Sequence, residues 1–324
     1  MSVLVTGGCG YIGSHMVWAL LDQQEDVIVI DNLVTGNRDA IPPKVTLFEA
    51  SLQDRRVLDG IFDAHDITDV LHFAGSTSVP ESVGNPLAYY RNNTANSLNL
   101  LEAMTGAGTE RIVFSSTAAV YKPGAKSAVG ESDLIDPASP YGASKLMTER
   151  MIADGASAGQ VRAGVLRYFN VAGADPEGRT GQSTPNASHL IKVACEAATG
   201  QRDNVKVFGT DWPTHDGTGV RDYIHVTDLI EAHLLMLDHL RRGGDSLTLN
   251  CGYGRGFSVR EVLQAVESKS NARIDVIESD RRPGDVGELI ARADRLRDQL
   301  GWTPRHQDID TIVGHALDWE RRRM

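Results

Sequence analysis

Ser2-Val3-Leu4-Val5-Thr6-Gly7-Gly8-Cys9-Gly10-Tyr11-Ile12-Gly13 is the stretch that decides the fold. Residues 2–6 read as a short buried strand, and Ser14-His15-Met16-Val17-Trp18-Ala19-Leu20-Leu21 reads as a helix. Glycines 7, 10 and 13 lie between the two. Such glycines serve a tight turn, a close approach of backbone to pyrophosphate, and close helix–strand packing. A second apolar strand, Val27-Ile28-Val29-Ile30, ends in Asp31, an acid placed to accept hydrogen bonds from an adenosine ribose. Asp31 would also repel a 2′-phosphate, so NAD is expected rather than NADP.

Working outward, strand and helix alternate. Val45-Thr46-Leu47-Phe48, Val70-Leu71-His72-Phe73-Ala74, Ile112-Val113-Phe114-Ser115 and Gly164-Val165-Leu166-Arg167-Tyr168-Phe169 read as strands. Helices are expected over 54–64 and 86–105. The pattern predicts a Rossmann-type doubly wound parallel sheet with helices on both faces. Ligands of such sheets bind beyond the carboxyl ends of the strands, where Asp31, Phe73-Ala74-Gly75 and Ser115-Ser116-Thr117 lie. Residues 171–188 are rich in Gly, Pro, Ser and Thr and read as a long loop. Residues 1–170 are therefore expected to form the dinucleotide-binding domain. Residues 171–324 are expected to form a smaller mixed α/β substrate domain. The helical stretch Val226–Leu240, within a 220–250 region, is expected to pack back on the first.

In Ser139-Pro140-Tyr141-Gly142-Ala143-Ser144-Lys145, Tyr141 and Lys145 are four residues apart and share one helix face. A phenol has a pKa near 10, and a nearby cation lowers it, which makes Tyr141 a candidate acid/base. By itself the spacing is usually a surface feature; following the glycine turn it reads as a catalytic pair.

Composition narrows the class. The 324 residues are 41% hydrophobic and 23% charged, with net charge −11. A sizeable core is expected, and no basic block argues for nucleic acid. The three cysteines have no metal or disulfide spacing, and no metal site is expected. No apolar run approaches transmembrane length, and the first strand begins at residue 2, so a cytoplasmic protein is expected.

Further motifs carry a resemblance. They include His72-Phe73-Ala74-Gly75, Pro80-Glu81-Ser82-Val83, Tyr89-Tyr90-Arg91-Asn92-Asn93 and Ser115 to Tyr121. The run Asp216-Gly217-Thr218-Gly219-Val220-Arg221-Asp222-Tyr223-Ile224-His225-Val226 and Arg281-Arg282-Pro283-Gly284-Asp285 complete the set. Together with the glycine turn and the Tyr–Lys pair, the chain resembles the UDP-glucose 4-epimerases of the extended short-chain dehydrogenase/reductase superfamily.

The resemblance implies reversible C4 epimerisation of a UDP-hexose with tightly bound NAD, through a transient 4-keto sugar. Tyr141 would move the proton of the sugar 4-hydroxyl, Lys145 would support the phenolate, and Thr117 would hydrogen-bond the 4-oxygen. For NAD it implies contacts at Gly7, Gly10, Tyr11, Ile12, Gly13, Asp31, Asn32 and Leu52. Phe73, Ala74, Gly75, Asn92, Ser115, Tyr141, Lys145 and Tyr168 would complete them. For the sugar nucleotide it implies Thr117, Tyr141, Asn170, His189, Leu190 and Phe208. Arg221 and Arg282 would meet the diphosphate, and Asp285 the uridine ribose. A homodimer through the helices holding 86–105 and 141–154 is also implied. The sequence departs from the family at Ser51, where Asp is usual, at Thr77, where some relatives carry Lys, and at Lys122, where Gly is usual. Leu289 stands where some relatives carry a larger Tyr, so N-acetylated sugars would fit. Epimerases of other UDP-sugars share the same reacting atoms. A 4,6-dehydratase needs acids after Thr117, where Ala118 and Ala119 stand. A catalytically silent NAD-binding sensor would have lost Tyr141 or Lys145.

Overall fold

Strand β1 (Ser2–Thr6) is wholly buried and turns through the glycines into helix α1 (Tyr11–Asp22). The chain continues through β2 (Asp26–Asp31), β3 (Thr46–Glu49), α2 (Arg55–Ala64) and β4 (Ile67–His72). It then runs through α3 (Val79–Gly84), α4 (Pro86–Tyr89), α5 (Asn96–Ala107), β5 (Arg111–Thr117) and α6 (Pro140–Ser157). The computed structural model describes every residue except Ala125, Asn186 and Pro283, so Pro283 of the 281–285 motif lies outside the described residues.

The chain divides into two units. The first comprises Met1–Lys122, Ile135–Arg167 and Ala232–Leu249. The second comprises Pro123–Leu134, Tyr168–Glu231 and Asn250–Met324. The segment Pro123–Leu134 thus belongs with the later residues, and the helix Val226–Arg241 is divided between the units at Glu231 and Ala232.

The first unit is built on a seven-stranded sheet. Its order places β3, β2, β1, β4 and β5 side by side, followed by the strands Arg162–Tyr168 and Leu247–Cys251. The pairs β1·β2, β1·β4, β2·β3 and β4·β5 are parallel. This is the Rossmann-type doubly wound sheet that the alternating pattern predicts. Strands covered on both faces read as continuous apolar runs, and Val3, Leu4 and Val5 are fully buried. One core face gathers Leu4, Ile28 and Ile30 with Leu58 and Ile61 of α2, Leu100 and Met104 of α5, and Phe114 of β5.

The helix expected over 86–105 is interrupted. Between α4 and α5 the residues Tyr90–Ala95 form a π-turn. The run Asn92-Asn93-Thr94 supplies side chains that bond neighbouring loops and helices in place of a regular ladder.

In the second unit the strand Val220–His225 is central. It pairs antiparallel with Gly256–Ser258 and parallel with Glu288–Ala291 and Asn170–Ala172. The expected loop 171–188 therefore opens with a short strand. Val205–Phe208 and Val276–Ser279 form a separate parallel pair. The helices Leu190–Ala198 and Ile309–Arg322 both pack on Val259–Ser270, whose start is fixed by a Ser258/Glu261 capping box. Among the described residues, no helix is long and apolar enough to cross a membrane.

Candidate active site

In the first unit, the glycine turn is closed by Gly10 N–H donating to Gly7 O (3.1 Å) and Ser14 N–H to Gly10 O (2.9 Å). A Cβ on Gly13 would stand 2.1 Å from the Gly7 carbonyl oxygen, an impossible approach, so this crossing of turn and helix requires glycine. Asp31 is buried, and its carboxylate accepts from Cys9 N–H (2.9 Å) and Leu33 N–H (2.8 Å). It therefore braces the turn from the end of β2. A carboxylate has about four lone-pair sites, so two backbone bonds leave acceptor capacity for ribose hydroxyls. A close-packed glycine turn leading into a helix, with an acid at the next strand end, fits a dinucleotide. Tyr11 and Ile12 begin α1, and Asn32 is exposed beside Asp31. Leu52, expected at the cofactor, is a buried side chain packed with the α2 and α5 apolar faces. Ser51 caps a local turn by accepting from Gln53 N–H (3.1 Å).

A line of buried hydrogen bonds fixes the end of β4. Ala74 N–H donates to Thr6 Oγ1 (3.2 Å), Thr6 Oγ1 lies 2.7 Å from His72 Nδ1, and His72 Nε2 lies 2.7 Å from Ser97 Oγ. Ser97 Oγ–H donates to Asn93 O (2.5 Å). Because Ser97 spends its proton on Asn93, His72 is assigned as the Nε2–H tautomer, accepting from Thr6. Burial first, then the Lys145 charge, push the His72 pKa down to about 3, so the ring stays neutral. Asn93 also accepts from Ser76 N–H (2.7 Å) and donates to Ser76 O (3.0 Å) and Ser144 Oγ (2.9 Å). The expected contact, Asn92, donates to Ser76 Oγ (2.9 Å) one step further out. Phe73 packs against His233.

Helix α6 carries the Tyr–Lys pair. Ser139 caps it by accepting from Gly142 N–H (3.2 Å), with Pro140 in the first turn. A Cβ on Gly142 would stand 2.3 Å from Ala119 O, so glycine lets α6 lie against the end of β5. Thr117, whose Oγ1 accepts from Ala119 N–H (3.1 Å), lies close enough to Tyr141 to oppose the effect of burial on the phenol. Lys145 is buried, donates to Ser115 O (3.0 Å), and its Nζ lies 4.8 Å from the Phe114 ring centroid. Tyr89 meets the Tyr141 ring edge-on at 6.4 Å.

The electrostatics differ from the expectation. Burial raises the Tyr141 pKa, and the opposing effect is the Thr117 hydrogen bond, not the Lys145 charge. Lys145 itself is pushed down to about 8, by burial, with Glu149 acting against the shift. Its ammonium donates to the Ser115 carbonyl.

In the second unit, Arg221 of the central strand forms an ion pair with Asp285 and donates to Val286 O (2.8 Å). Arg282 donates to the other Asp285 oxygen (3.1 Å) and lies 4.8 Å over the Phe208 ring. Phe208, Arg221, Arg282 and Asp285 are thus brought together, with Asp285 between the two guanidiniums. Leu289 is the register partner of Arg221 on the neighbouring parallel strand. Asn170 pairs with Tyr223 in register. His189 precedes Leu190 at the start of its helix, 3.4 Å from Gln182, and burial lowers its pKa. Among the described residues, no hydrogen bond joins Asn170 or His189 to the Arg221 group. Tyr168 ends the strand Arg162–Tyr168 and is half-buried. Thr77 and Lys122 are exposed, Lys122 facing Asp136 at 3.5 Å. No cluster of His, Cys, Asp and Glu among the described residues is arranged to hold a metal ion.

Residues 3–252 match the NAD dependent epimerase/dehydratase family. The chain belongs to this family. It is 56% identical over 319 residues to a UDP-glucose 4-epimerase of Azospirillum brasilense, covering 98% of this chain and 92% of that one. It superposes on the Brucella ovis UDP-glucose 4-epimerase solved with NAD, with TM-score 0.94, 40% identity and coverage of 98% and 97%. It also superposes on the Campylobacter jejuni UDP-Glc/GlcNAc 4-epimerase, with TM-score 0.86, 41% identity and 99% of both chains covered.

Sequence reasoning placed His72 and Asn93 in motifs and Arg167 in a strand without giving them a role, and did not single out Glu149. The polar run Asn92 to Ser97 inside an otherwise helical stretch was the available signal for Asn93.

Lys145 offers a pH test. Its folded pKa lies near 8 and its usual value is 10.5. Between these, the unfolded chain binds the extra proton, so this residue makes stability rise with pH from about 8 towards 10.5. Denaturant titrations should show wild type gaining stability over that window relative to Lys145→Met. A constant difference would contradict the buried ammonium.

Proposed function

We propose that this protein interconverts UDP-galactose and UDP-glucose by inverting C4 of the sugar. The observation that carries the reading is Tyr141 on the face of α6 that also holds Lys145, next to Thr117, with Lys145 bonded to the Ser115 carbonyl at the end of β5. NAD, held by the glycine turn and Asp31, supplies the hydride acceptor and donor at C4 when bound.

The residues divide the remaining work. Tyr141 takes the proton of the 4-hydroxyl and later returns it, so the proton is conserved over one turnover. Thr117 donates to the phenol oxygen as it ionises, which favours the form that accepts the proton and opposes the effect of burial. Lys145 places a fixed cation beneath the strand end, held by Ser115 O. Arg221 and Arg282 present guanidinium forks suited to phosphate oxygens, and Asp285 keeps both in place. Phe208 offers an aromatic face for the base.

We infer a homodimer as well. Val83, Leu87, Leu98 and Met147 are exposed apolar side chains on the consecutive helices α3, α4, α5 and α6 of the first unit. A surface of this kind is one that a second copy would cover.

Turnover of UDP-galactose followed by NMR, with no NAD added, tests the reaction. Tyr141→Phe should reduce kcat by about 10²–10⁴-fold while UDP still binds. Retention of more than roughly a tenth of the rate would remove Tyr141 from the chemistry. Leu289, beside Arg221 and smaller than tyrosine, should allow turnover of UDP-N-acetylglucosamine. Leu289→Tyr should suppress that substrate and spare UDP-galactose; equal loss on both would make the residue a support and not a gate. Sedimentation should give twice the chain mass, and Leu87→Glu with Met147→Glu should give the monomer. A wild-type monomer would refute the dimer.

A further inference from the structure

The face of α6 opposite solvent carries one more charged group that the proposed reaction does not use. Glu149 lies one turn beyond Lys145 and is buried, as is Arg167 on the strand Arg162–Tyr168. Arg167 Nε donates to Glu149 Oε1 (2.9 Å), and Nη2 donates to Oε2 (2.5 Å), a two-pronged pair. Ser116 Oγ–H donates to Glu149 Oε1. Arg167 Nη1 donates to Tyr121 OH (3.2 Å), and its guanidinium lies 5.2 Å from the Tyr121 ring centroid.

Ser116 sits between Ser115, whose carbonyl receives Lys145, and Thr117, which lies close to Tyr141. One carboxylate thus joins three elements: α6, the last turn of strand in β5, and the strand bearing Arg167. We propose that Glu149 is a positioning residue for the Tyr141–Lys145–Thr117 group, fastening the carboxyl end of β5 to α6 so that these three side chains keep their alignment. This rests on the proposed reaction only in treating that group as the reacting one.

The charges around Lys145 are few. On its own helix stand Glu149 and Tyr141; on β4, the neutral His72; and behind Glu149, Arg167. Ser115 O and the Phe114 ring complete its surroundings on β5. Glu149 is the carboxylate that supports the buried ammonium, opposing its desolvation. Arg167 in turn balances Glu149, because a lone carboxylate in this position would carry an uncompensated charge.

Two variants test the proposal. Glu149→Gln keeps the shape and a hydrogen-bond acceptor for Ser116 but removes the charge. Because it strands Arg167, Glu149→Gln/Arg167→Met is measured beside it, so that folding does not decide the result. The titration of Lys145 Nζ is followed by ¹⁵N NMR, assigned by its loss in Lys145→Met. In Glu149→Gln it should move down by about one unit or more, and by less in the paired variant. In both, kcat for UDP-galactose should fall by about tenfold or more, with KM changed little, because alignment and not binding is lost. Wild-type Lys145 titration together with wild-type kcat in either folded variant would overturn the proposal. Absence of turnover in the wild type would refute the reaction instead and leave the titration result standing.

Discussion

The chemistry of the first unit depends on how closely the start of α6 lies against the carboxyl end of β5. Gly142 makes the approach possible, since any side chain there would strike the Ala119 carbonyl. Once the two backbones are in contact, the remaining bonds follow from register. Tyr141 reaches Thr117, Lys145 reaches the Ser115 carbonyl, and Glu149 reaches Ser116. Residues 141, 145 and 149 are successive i,i+4 positions, so one helix face reads three consecutive residues of one strand end. Burial then sets the charges: it raises the phenol and lowers the ammonium, and Thr117 and Glu149 each oppose one of these shifts.

The second unit solves its positioning problem with carboxylates that bond backbone. Asp222, fully buried, accepts from Tyr253 N–H (3.0 Å), Gly254 N–H (2.9 Å) and Ala291 N–H (3.2 Å). Asp228 accepts from Arg305 N–H (3.0 Å) and His306 N–H (2.9 Å), and from the Tyr253 hydroxyl (2.5 Å). Burial raises the Asp222 pKa, and the three backbone donors pull against it. These two acids tie the strand bearing Arg221 to the loops and the strand around it. Arg221 can therefore pair with Asp285 without being the element that holds the fold.

Much of this was legible in the sequence. The glycine turn, Asp31 and the alternating strands specify the doubly wound sheet, because each reflects a local rule with its own period or spacing. The Tyr141–Lys145 pair, and the grouping of Arg221, Arg282 and Asp285, follow from motifs. What was not legible is long-range. The π-turn at 90–95 replaces part of a predicted helix because Asn93 bonds Ser76 and Ser144, partners far away in sequence. The packing of Leu52 with α2 and α5 is likewise set by distant partners. Lys145 is legible as half of a pair, but the Ser115 carbonyl that it bonds is located by no spacing rule. No spacing rule pairs Glu149 with Arg167, which meet only when the strand and helix pack.

The line from Ala74 through Thr6, His72 and Ser97 to Asn93 has a single polarity. Each hydroxyl and the imidazole gives one proton forward and accepts one from behind. Reversal is barred at both ends, because an amide can only give and a carbonyl can only receive. Such a chain carries orientation but no proton, since nothing at its ends can load or discharge one. Its members share one arrangement, so the line ties the π-turn at Asn93 to the end of β4 at Ala74.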